Sequence, residues 1–409
     1  MTAPMQRRTE PRARRRRDAA FAALAETLTY HVAHDHPPHT VTPRAPARRD
    51  AHPKHHGCVA ATFEVLDGLP PSLRRGLFAA PRTFQAEVRF SNAFKVRHDC
   101  TRDARGMAIK VHNPPGQPVR LPEIAVTEHT LMPEGVATQD FLLVTHSEFF
   151  AATASEFVEI VTALLAARGV VGRMVRLARC FFGVSPCRFR WRNFKALIKT
   201  NTLTSNPLFL SYFSQTPYRY GLDLDEKGSA GAAKFCVRPL QAPTLSDRVG
   251  LLVKVLSFSI GAGGRYKNFL EKALHRYLAR EDAEFEFCVQ LRPAPPYGRP
   301  RDDRMPLDNA AYPWAQDAAP FVPVARVRIP HAQRYADAEL VQAEMERGEH
   351  LTFSPWHAIR DHRPLGSINR ARLFVYARVS QMRHRLNETT AHVSGGGETR
   401  ASHCVERTG

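Results

Sequence analysis

The hydrophobic pattern over the first part of the core alternates from residue to residue. Between Arg49 and about Val144, short segments place an apolar side chain at every second position and end at Pro, Gly, Asn or Asp, as in "TFEVLDGLP", "TFQAEVRFS" and "MAIKVHN". The same alternation returns later in "AAKFCVRPL", "AEFEFCVQLRP" and "VPVARVRIP". Because alternation is typical of strands that bury one face, both regions are predicted to form sheet.

Helical periodicity interrupts these strands. Apolar residues recur every three or four positions in "SEFVEIVTALLAARGVVGRMVRLARCFF", where Gly169 predicts a break, and in "DRVGLLVKVLSFSI" and "YKNFLEKALHRYLARED". Strands first, then inserted helices and further strands favour an α+β protein built on an antiparallel sheet over a parallel βαβ fold.

Composition divides the chain into three parts. Residues 1–48 are rich in Arg, His, Pro and Ala and hold one short helical pattern, "DAAFAALAETLTYHVA", so we predict a basic N-terminal arm with one short helix. Residues 49–386 carry the strand and helix patterns and form the predicted core. Residues 387–409 have low complexity, which predicts a disordered tail.

The formal net charge of +19 does not by itself indicate a nucleic-acid-binding protein. Part of it lies in the run from Arg7 to Arg17, "RRTEPRARRRR", which we predict to be a mobile tail. No secretory pattern follows this run, and no stretch approaches the roughly 20 apolar residues of a spanning helix. We therefore expect a cytoplasmic protein with no transmembrane segment and no specific nucleic-acid partner.

The seven cysteines are odd in number and include no CxxC pair. This spacing argues against a disulfide framework and against a four-thiolate zinc site, and it favours reduced, buried thiols.

The segment "RARLFVY", residues 370 to 376, holds the first candidate chemistry. Arg372 and Tyr376 are four residues apart, so on a helix both side chains lie on one face. A fixed positive charge stabilises an ionised phenol, and a phenolate is a hard oxygen ligand suited to ferric iron. The alternative is a buried tyrosine whose hydroxyl is satisfied by a neighbouring arginine.

Four blocks occur in order along the chain: "RDAHPKHHGCVAATFEV", "EVRFSNAF", "DCTRDARGMAIKVHN" and "INRARLFVY". Together they resemble the haem-binding framework of the monofunctional catalase family. They are most similar to its shorter catalase-related members, which also have phrases like "TQDFLLV", "SYFSQTPYRYG" and "FSPWHAIRDHRPLGSINRAR". The resemblance covers roughly Arg49 to Arg385. It implies a catalase-like antiparallel β-barrel core with packed helices and a proximal helix near residues 366–386.

The resemblance also implies roles for single residues. Tyr376 matches the tyrosine that ligates the haem iron in catalases, with Arg372 as its charge partner. His52 matches the distal histidine, which moves a proton between the two peroxide oxygens, and Ser91 matches the serine that orients it. The matches to the arginines that neutralise the haem propionates are Arg49, Arg89 and Arg383.

Several alternatives stay open at these positions. His55 and His56 lie close to His52 in sequence, and a second histidine cluster consists of His34, His36 and His39. An arm rich in His and Pro is more often solvated than metal-binding, so we expect no metal site in that second cluster. The segment Asp103 to Gly106, "DARG", matches a structural turn of the same framework.

The chain departs from the catalase pattern on the distal side. Thr145 stands where catalases have an asparagine, and its hydroxyl offers no amide donor and a shorter reach towards peroxide. Ala51 precedes His52, where catalases have valine and the similar allene oxide synthases have threonine. No flavodoxin-like domain follows the core, so we expect no NADPH binding.

The function implied by this resemblance is decomposition of hydrogen peroxide or an organic hydroperoxide by haem b iron, through an oxoferryl intermediate, in a catalase- or peroxidase-type oxidoreductase. A fatty-acid hydroperoxide-transforming haem enzyme is a second possibility. A third is a non-enzymatic protein that binds haem, or one whose basic tail binds nucleic acid or membrane. The resemblance further implies a homo-oligomer.

Overall fold

The computed structural model of the chain describes residues 6–35, 46–49, 52–92, 96–120, 137–165, 201–224, 230–292 and 307–395, with a few isolated residues between these ranges. Within them, nine strands form one antiparallel sheet. The strands are β1 His55–Val65, β2 Arg82–Asn92, β3 Arg105–His112, β4 Thr138–Val144, β5 Tyr212–Phe213, β6 Tyr218–Leu224, β7 Ala230–Pro239, β8 Ala283–Leu291 and β9 Val322–Ile329.

The sheet closes on itself as a barrel. Its strand order is β5-β4-β3-β2-β1-β9-β8-β7-β6, and β5 pairs with both β4 and β7. Eight strands therefore form a closed ring, and β6 extends it from β7. Closure leaves no free edge along the ring, which is how antiparallel sheets of this size avoid pairing with other chains. The predicted antiparallel α+β barrel is confirmed.

Aromatic side chains from opposite parts of the ring fill the barrel. Phe141 lies 4.7 Å from Phe287 and 4.9 Å from Phe235 between ring centroids, and Phe63 lies 5.1 Å from Phe287. All four side chains are fully buried or nearly so. Because strand side chains alternate between the two faces, this apolar interior obliges the next residue on each strand to face the helices or solvent.

The helices in the described ranges are α1 Gln6–Asp35, α2 Ala154–Leu165, α3 Leu245–Ser259, α4 Phe269–Leu278, α5 Ala338–His350 and α6 Gly366–Gly395. α3 and α4 lie between β7 and β8, α5 follows β9, and α6 holds the candidate tyrosine. The helices predicted at α2, α3, α4 and α6 are confirmed, whereas α5 was not predicted from the sequence. The second half of the long segment predicted to break at Gly169 lies outside the described residues.

The N-terminal helix is longer than predicted. α1 has 30 residues, begins at Gln6 and includes the Arg7 to Arg17 run that we expected to be a mobile tail. Arginine and alanine both favour helix, and the second half of α1 is anchored to α6 by apolar packing. Leu24, Leu28 and Val32 are buried against Val375 and Val379 of α6.

The C-terminal boundary also differs from the prediction. α6 continues to Gly395, past residue 387, where we expected a disordered tail to begin. Asn387 is 8% exposed, and its Oδ1 accepts a hydrogen bond of 2.8 Å from the backbone N–H of Ala47. This contact anchors the helix at Asn387, because the side chain satisfies a buried donor of the N-terminal segment.

Four cysteines in the described ranges, Cys58, Cys100, Cys236 and Cys288, are buried free thiols, as predicted. None of the helices that the structure describes is both long enough and apolar enough to cross a membrane.

Candidate functional site

The candidate distal residues meet at the start of β1. His52 precedes the strand with a φ of 61°, a left-handed conformation that is uncommon for a residue with a side chain. Its Nδ1 lies 3.1 Å from Oγ of Ser91 on β2, and its carbonyl accepts a hydrogen bond of 3.1 Å from Arg89. The neighbouring β2 strand therefore fixes both the ring and the backbone of His52.

Gly106 provides the space for this arrangement. It is the partner of Ser91 across β2 and β3. A Cβ atom at this position would lie 2.5 Å from Nδ1 of His52 and 3.0 Å from Oγ of Ser91, which is too close for either atom. The "DARG" segment was predicted only as a structural turn, whereas its glycine in fact packs against the imidazole.

The environment of His52 keeps its imidazole neutral. Burial lowers the pKa of His52 from 6.5 to about 3, and the positive charges of Arg89, Arg372 and Arg49 lower it in the same direction. At neutral pH the ring therefore has one unprotonated nitrogen that can accept a proton.

The three arginines matched to propionate binding converge on one carboxylate, Glu349 at the end of α5. Nη1 of Arg49 donates to Oε2 of Glu349 at 2.9 Å, and Nη2 of Arg89 lies 3.5 Å from Oε1. Arg383 donates to the backbone carbonyl of the same glutamate. Residues from the segment before β1, from β2, from α5 and from α6 thus meet at one point.

The charges in this group strongly affect one another. Burial alone would raise the pKa of Glu349, but Arg49, His55 and Arg89 outweigh it and lower the pKa to about 2. Burial and the nearby charge of Arg49 lower the pKa of Arg89 to about 10. Both groups remain ionised at neutral pH. Burial, followed by the charge of Arg49, lowers the pKa of Arg383 well below its usual value. Three guanidinium groups thus face one carboxylate, a formal excess of two positive charges.

A pocket opens beside these arginines. Five lining residues come from one face of α6, and the others come from the segment before β1 and from the segment after α5. The lining residues are Arg49, Thr352, Phe353, Val375, Tyr376, Val379, Ser380 and Arg383. The pocket thus has two guanidinium groups, an apolar wall and the phenol of Tyr376. The spacing of the α6 residues is the three- and four-residue spacing of a helix face.

Arg372 lies on α6 one turn before Tyr376, as predicted. Its Nη1 is 3.5 Å from Oγ1 of Thr216 and 3.4 Å from Oδ1 of Asn369. Its guanidinium lies 5.5 Å from the ring centroid of Phe149, within cation–π range. These contacts hold Arg372 between the barrel and the helix.

A second phenol, Tyr218, belongs to the same neighbourhood. It is fully buried, and burial raises its pKa to about 12. The charge of Arg372 lowers this pKa and Tyr376 raises it, but burial has the largest effect. Tyr218 therefore stays protonated at neutral pH. The sequence phrase "SYFSQTPYRYG" contains it, but three tyrosines in that phrase look alike in sequence.

Thr145 lies at the end of β4, next to the start of β3. Its hydroxyl accepts a hydrogen bond of 3.2 Å from the backbone N–H of Arg105, and its own N–H donates to the Arg105 carbonyl at 3.0 Å. The hydroxyl therefore takes part in joining the two strands.

The other candidate histidines have different positions. His55 Nε2 lies 3.3 Å from Glu349, and burial lowers the pKa of His55 to about 3. His56 Nε2 lies 2.8 Å from Oδ1 of Asn92, in a fully buried setting. His34 is exposed on α1. His36, His39 and Ala51 lie outside the described residues.

Sequence reasoning missed Glu349 entirely. The only signal for it was indirect: three arginines predicted to share a buried site need a counter-charge. The segment "QAEMERGEH" contains three glutamates, and their spacing does not distinguish the one whose side chain contacts the arginines.

No known family profile and no curated protein matches the sequence. Among solved structures, catalase A from Saccharomyces cerevisiae superimposes with a TM-score of 0.56 at 15% identity, over 83% of this chain and 61% of the catalase. A bacterial catalase gives a TM-score of 0.57 at 15% identity, over 84% and 59%. A fungal catalase gives 0.56 at 15% identity, over 85% and 61%.

The chain thus spans about three fifths of the length of these catalases. The barrel and helices described above account for the match, and the sequence identity is too low to carry more than the architecture. This protein has the catalase fold.

Proposed function

We propose that this chain binds haem b in the pocket beside α6 and decomposes hydrogen peroxide or an organic hydroperoxide. The observation that carries the proposal is the group formed by Arg49, Arg89, Arg383 and Glu349 at one end of the pocket that Tyr376 lines. The sequence separation of these residues is large, so their convergence is a property of the fold.

The charges of this group fit the cofactor. Haem b carries two propionates, and the arginines exceed the one carboxylate among them by two charges. The Nε atoms of Arg89 and Arg383 are buried and have no hydrogen-bond partner among the described residues. Buried donors of this kind are rare without a ligand or water to satisfy them. Carboxylates are well suited to forked guanidinium donors.

The remaining residues that line the pocket fit an iron porphyrin. Tyr376 offers a phenol oxygen, Phe353, Val375 and Val379 offer apolar contact for a flat ring system, and the guanidinium of Arg372 follows one helical turn away on the barrel side. In this proposal Tyr376 is the iron ligand, and Arg372 favours its ionised form. Bound haem would supply the iron redox chemistry that cleaves the peroxide bond.

The residues of the chain handle the proton. With Nδ1–H of His52 donating to Oγ of Ser91, Nε2 is the unprotonated nitrogen and can take a proton from one peroxide oxygen and return it to the other. The low pKa of His52 keeps this nitrogen free at neutral pH. In this proposal the hydroxyl of Thr145 stands where the catalase pattern has an asparagine, with less reach towards peroxide than an amide.

The homo-oligomer and the absence of NADPH binding remain predictions from the resemblance, and the cytoplasmic location remains a prediction from the sequence pattern. Sedimentation of the haem-loaded protein would test the first of these.

Peroxide turnover by the haem-loaded protein and by two histidine variants tests the proposed function. We expect oxygen release from hydrogen peroxide, and His52→Ala should lower turnover by at least about a hundredfold, the usual contribution of a general acid–base group. The matched control is His331→Ala, at an exposed histidine far along the chain that pairs with Asp282.

The outcomes separate the candidate functions. Equal turnover by the wild type and His52→Ala would contradict the proposed role of His52. Consumption of an organic or fatty-acid hydroperoxide without oxygen release would favour a peroxidase or a hydroperoxide-transforming enzyme. A protein that takes up no haem would rule out the site.

A further inference from the structure

α3 exposes an apolar stripe to solvent. Thirteen large apolar side chains are exposed in the part of the chain that the structure describes, and seven of them lie between residues 245 and 260. Six of these fall on one helical face because they are three, four or seven residues apart: Leu245 (78% exposed), Val249 (52%), Leu252 (57%), Val253 (48%), Leu256 (56%) and Ile260 (81%). Single exposed apolar residues are ordinary, but a continuous stripe of this length indicates a contact surface.

The opposite face of α3 fixes the direction of the stripe. Leu251 and Val255 pack against a buried cluster of Cys100, Phe269 and Leu270. The Sγ of Cys100 also lies 3.4 Å from the carbonyl of Lys254. Because this inner face is already packed, the stripe on the other side cannot turn inwards without breaking that cluster.

The start of α3 is held firmly as well. Thr244 and Asp247 form a capping box, in which each residue's side chain bonds the other's backbone N–H. Asp247 is the one acidic residue in the helix, and its carboxylate is used in this cap. The stripe is therefore presented by a rigid helix with no free acidic group.

The charged groups beside the stripe are positive. Arg248 is exposed at its edge, and Arg265 and Lys267 are exposed in the turn that follows the helix. The whole chain carries a formal charge of +19. An apolar helix face flanked by cations matches the interfacial zone of an anionic bilayer, where apolar side chains enter the acyl boundary and cations meet phosphate groups.

We propose that α3 is a docking surface for an anionic lipid membrane. A second copy of the chain fits this face less well, because a two-fold contact through the stripe would bring Arg248, Arg265 and Lys267 close to their own copies. This inference depends on α3 alone and holds whether or not the haem site is correct.

Co-sedimentation of the full chain with vesicles tests the proposal. The probes are two kinds of vesicle. One contains phosphatidylcholine with roughly a third phosphatidylserine, and the other contains phosphatidylcholine alone. The variant is Leu252→Ser with Leu256→Ser. The matched control is Leu222→Ser with Leu340→Ser, which removes two leucines of similar exposure, 47% and 52%, outside α3.

We expect the wild type and the control to bind the anionic vesicles and the α3 variant to bind at least about tenfold more weakly, because two apolar anchors are lost. Thermal unfolding should be alike for all three proteins, since the changed side chains are exposed. Equal vesicle binding by the α3 variant and the wild type would overturn the proposal, since the basic N-terminal run would then account for binding.

Two further results would also overturn it. One is equal binding of the wild type to neutral and anionic vesicles. The other is no vesicle binding by the wild type, together with a wild-type oligomer that the α3 variant converts to a smaller species, which would make the stripe a contact between copies.

Discussion

Nη1 of Arg49 donates a hydrogen bond of 2.9 Å to Oε2 of Glu349, across 300 positions of the sequence. The pair joins the segment before β1 to the end of α5, and Arg89 and Arg383 connect it to the barrel and to α6. In the haem-free protein, the negative charge of Glu349 reduces the repulsion among the three arginine side chains. In the haem-bound protein that we propose, the two propionates would balance the remaining excess.

Replacing Glu349 with glutamine should destabilise the haem-free protein. Removing one partner of a buried ion pair leaves an uncompensated charge and typically costs about 3–5 kcal/mol. We expect a loss of roughly this size in the free energy of unfolding, measured with urea, and partial recovery when haem is added. Glu339→Gln, at an exposed position on the same helix, is the control. An unchanged unfolding midpoint for Glu349→Gln would show that the arginines do not depend on it.

The stability of the protein should fall as the pH decreases below about 6.5. His56 and His362 are fully buried, and burial lowers the pKa of each from 6.5 to about 4. Between these two pKa values the unfolded chain binds protons that the folded chain does not. The contribution of the two neutral histidines to the free energy of unfolding is therefore fully present above pH 6.5 and is lost as the pH falls through about 4. Linkage gives about 1.4 kcal/mol per pH unit for each histidine.

Thermal unfolding from pH 8 to pH 5 measures this effect. We expect the melting temperature to drop steadily below pH 6.5, and replacement of the exposed His34 by glutamine to leave the profile unchanged. A melting temperature that stays constant over this range would contradict the burial of neutral histidines.

Substituting Gly106 with alanine should impair the distal side and spare the proximal side. The added methyl would lie 2.5 Å from Nδ1 of His52, so the imidazole must move away from Ser91. We expect peroxide turnover to fall at least about tenfold, as expected when a general acid–base group is misplaced, while the absorption spectrum of bound haem keeps its tyrosine-ligated form. Gly172→Ala, where no atom lies near an added Cβ, is the control. Full activity of Gly106→Ala would show that His52 does not need its present position.

Shortening Leu28 to alanine should weaken the contact between α1 and α6. Leu28 is 4% exposed and packs in the cluster that includes Val375 and Val379, two residues of the pocket wall. Large-to-small core substitutions of this kind cost about 2–5 kcal/mol. We expect a lower unfolding free energy and faster haem loss to an acceptor protein. Substitution of exposed Tyr30 on the same helix by alanine should change neither quantity appreciably.

The sequence predicted the barrel well because apolar and polar residues alternate along most of the segments that it marked as strands. "TFQAEVRFS" alternates throughout and corresponds to β2, and "AEFEFCVQLRP", which contains β8, alternates except at Cys288. β1 begins seven residues earlier than the alternating "TFEVLDGLP", at His55, because "HHGCV" is buried on both faces and therefore does not alternate. The length of α1 could not be read from its polar half, which carries no apolar stripe.

The site was predicted in its parts but not in its arrangement. His52, Ser91 and the three arginines were named from resemblance, and the structure brings His52 to Ser91 and the arginines to one another. Glu349, Gly106 and Tyr218 were missed as site residues because their roles depend on distances between strands and helices far apart in the chain. A local sequence pattern predicts the type of a secondary-structure element, whereas the contacts of that element depend on the fold.

The absorption spectrum of the haem-loaded protein beside its Tyr376→Phe variant tests the central claim most directly, with exposed Tyr30→Phe as the control. We predict a phenolate-ligated ferric spectrum for the wild type and the control. Tyr376→Phe should lose this spectrum yet keep haem bound within about tenfold of the wild-type affinity, since the arginines hold the propionates. An identical spectrum for the wild type and Tyr376→Phe would contradict the assignment of Tyr376 as the iron ligand.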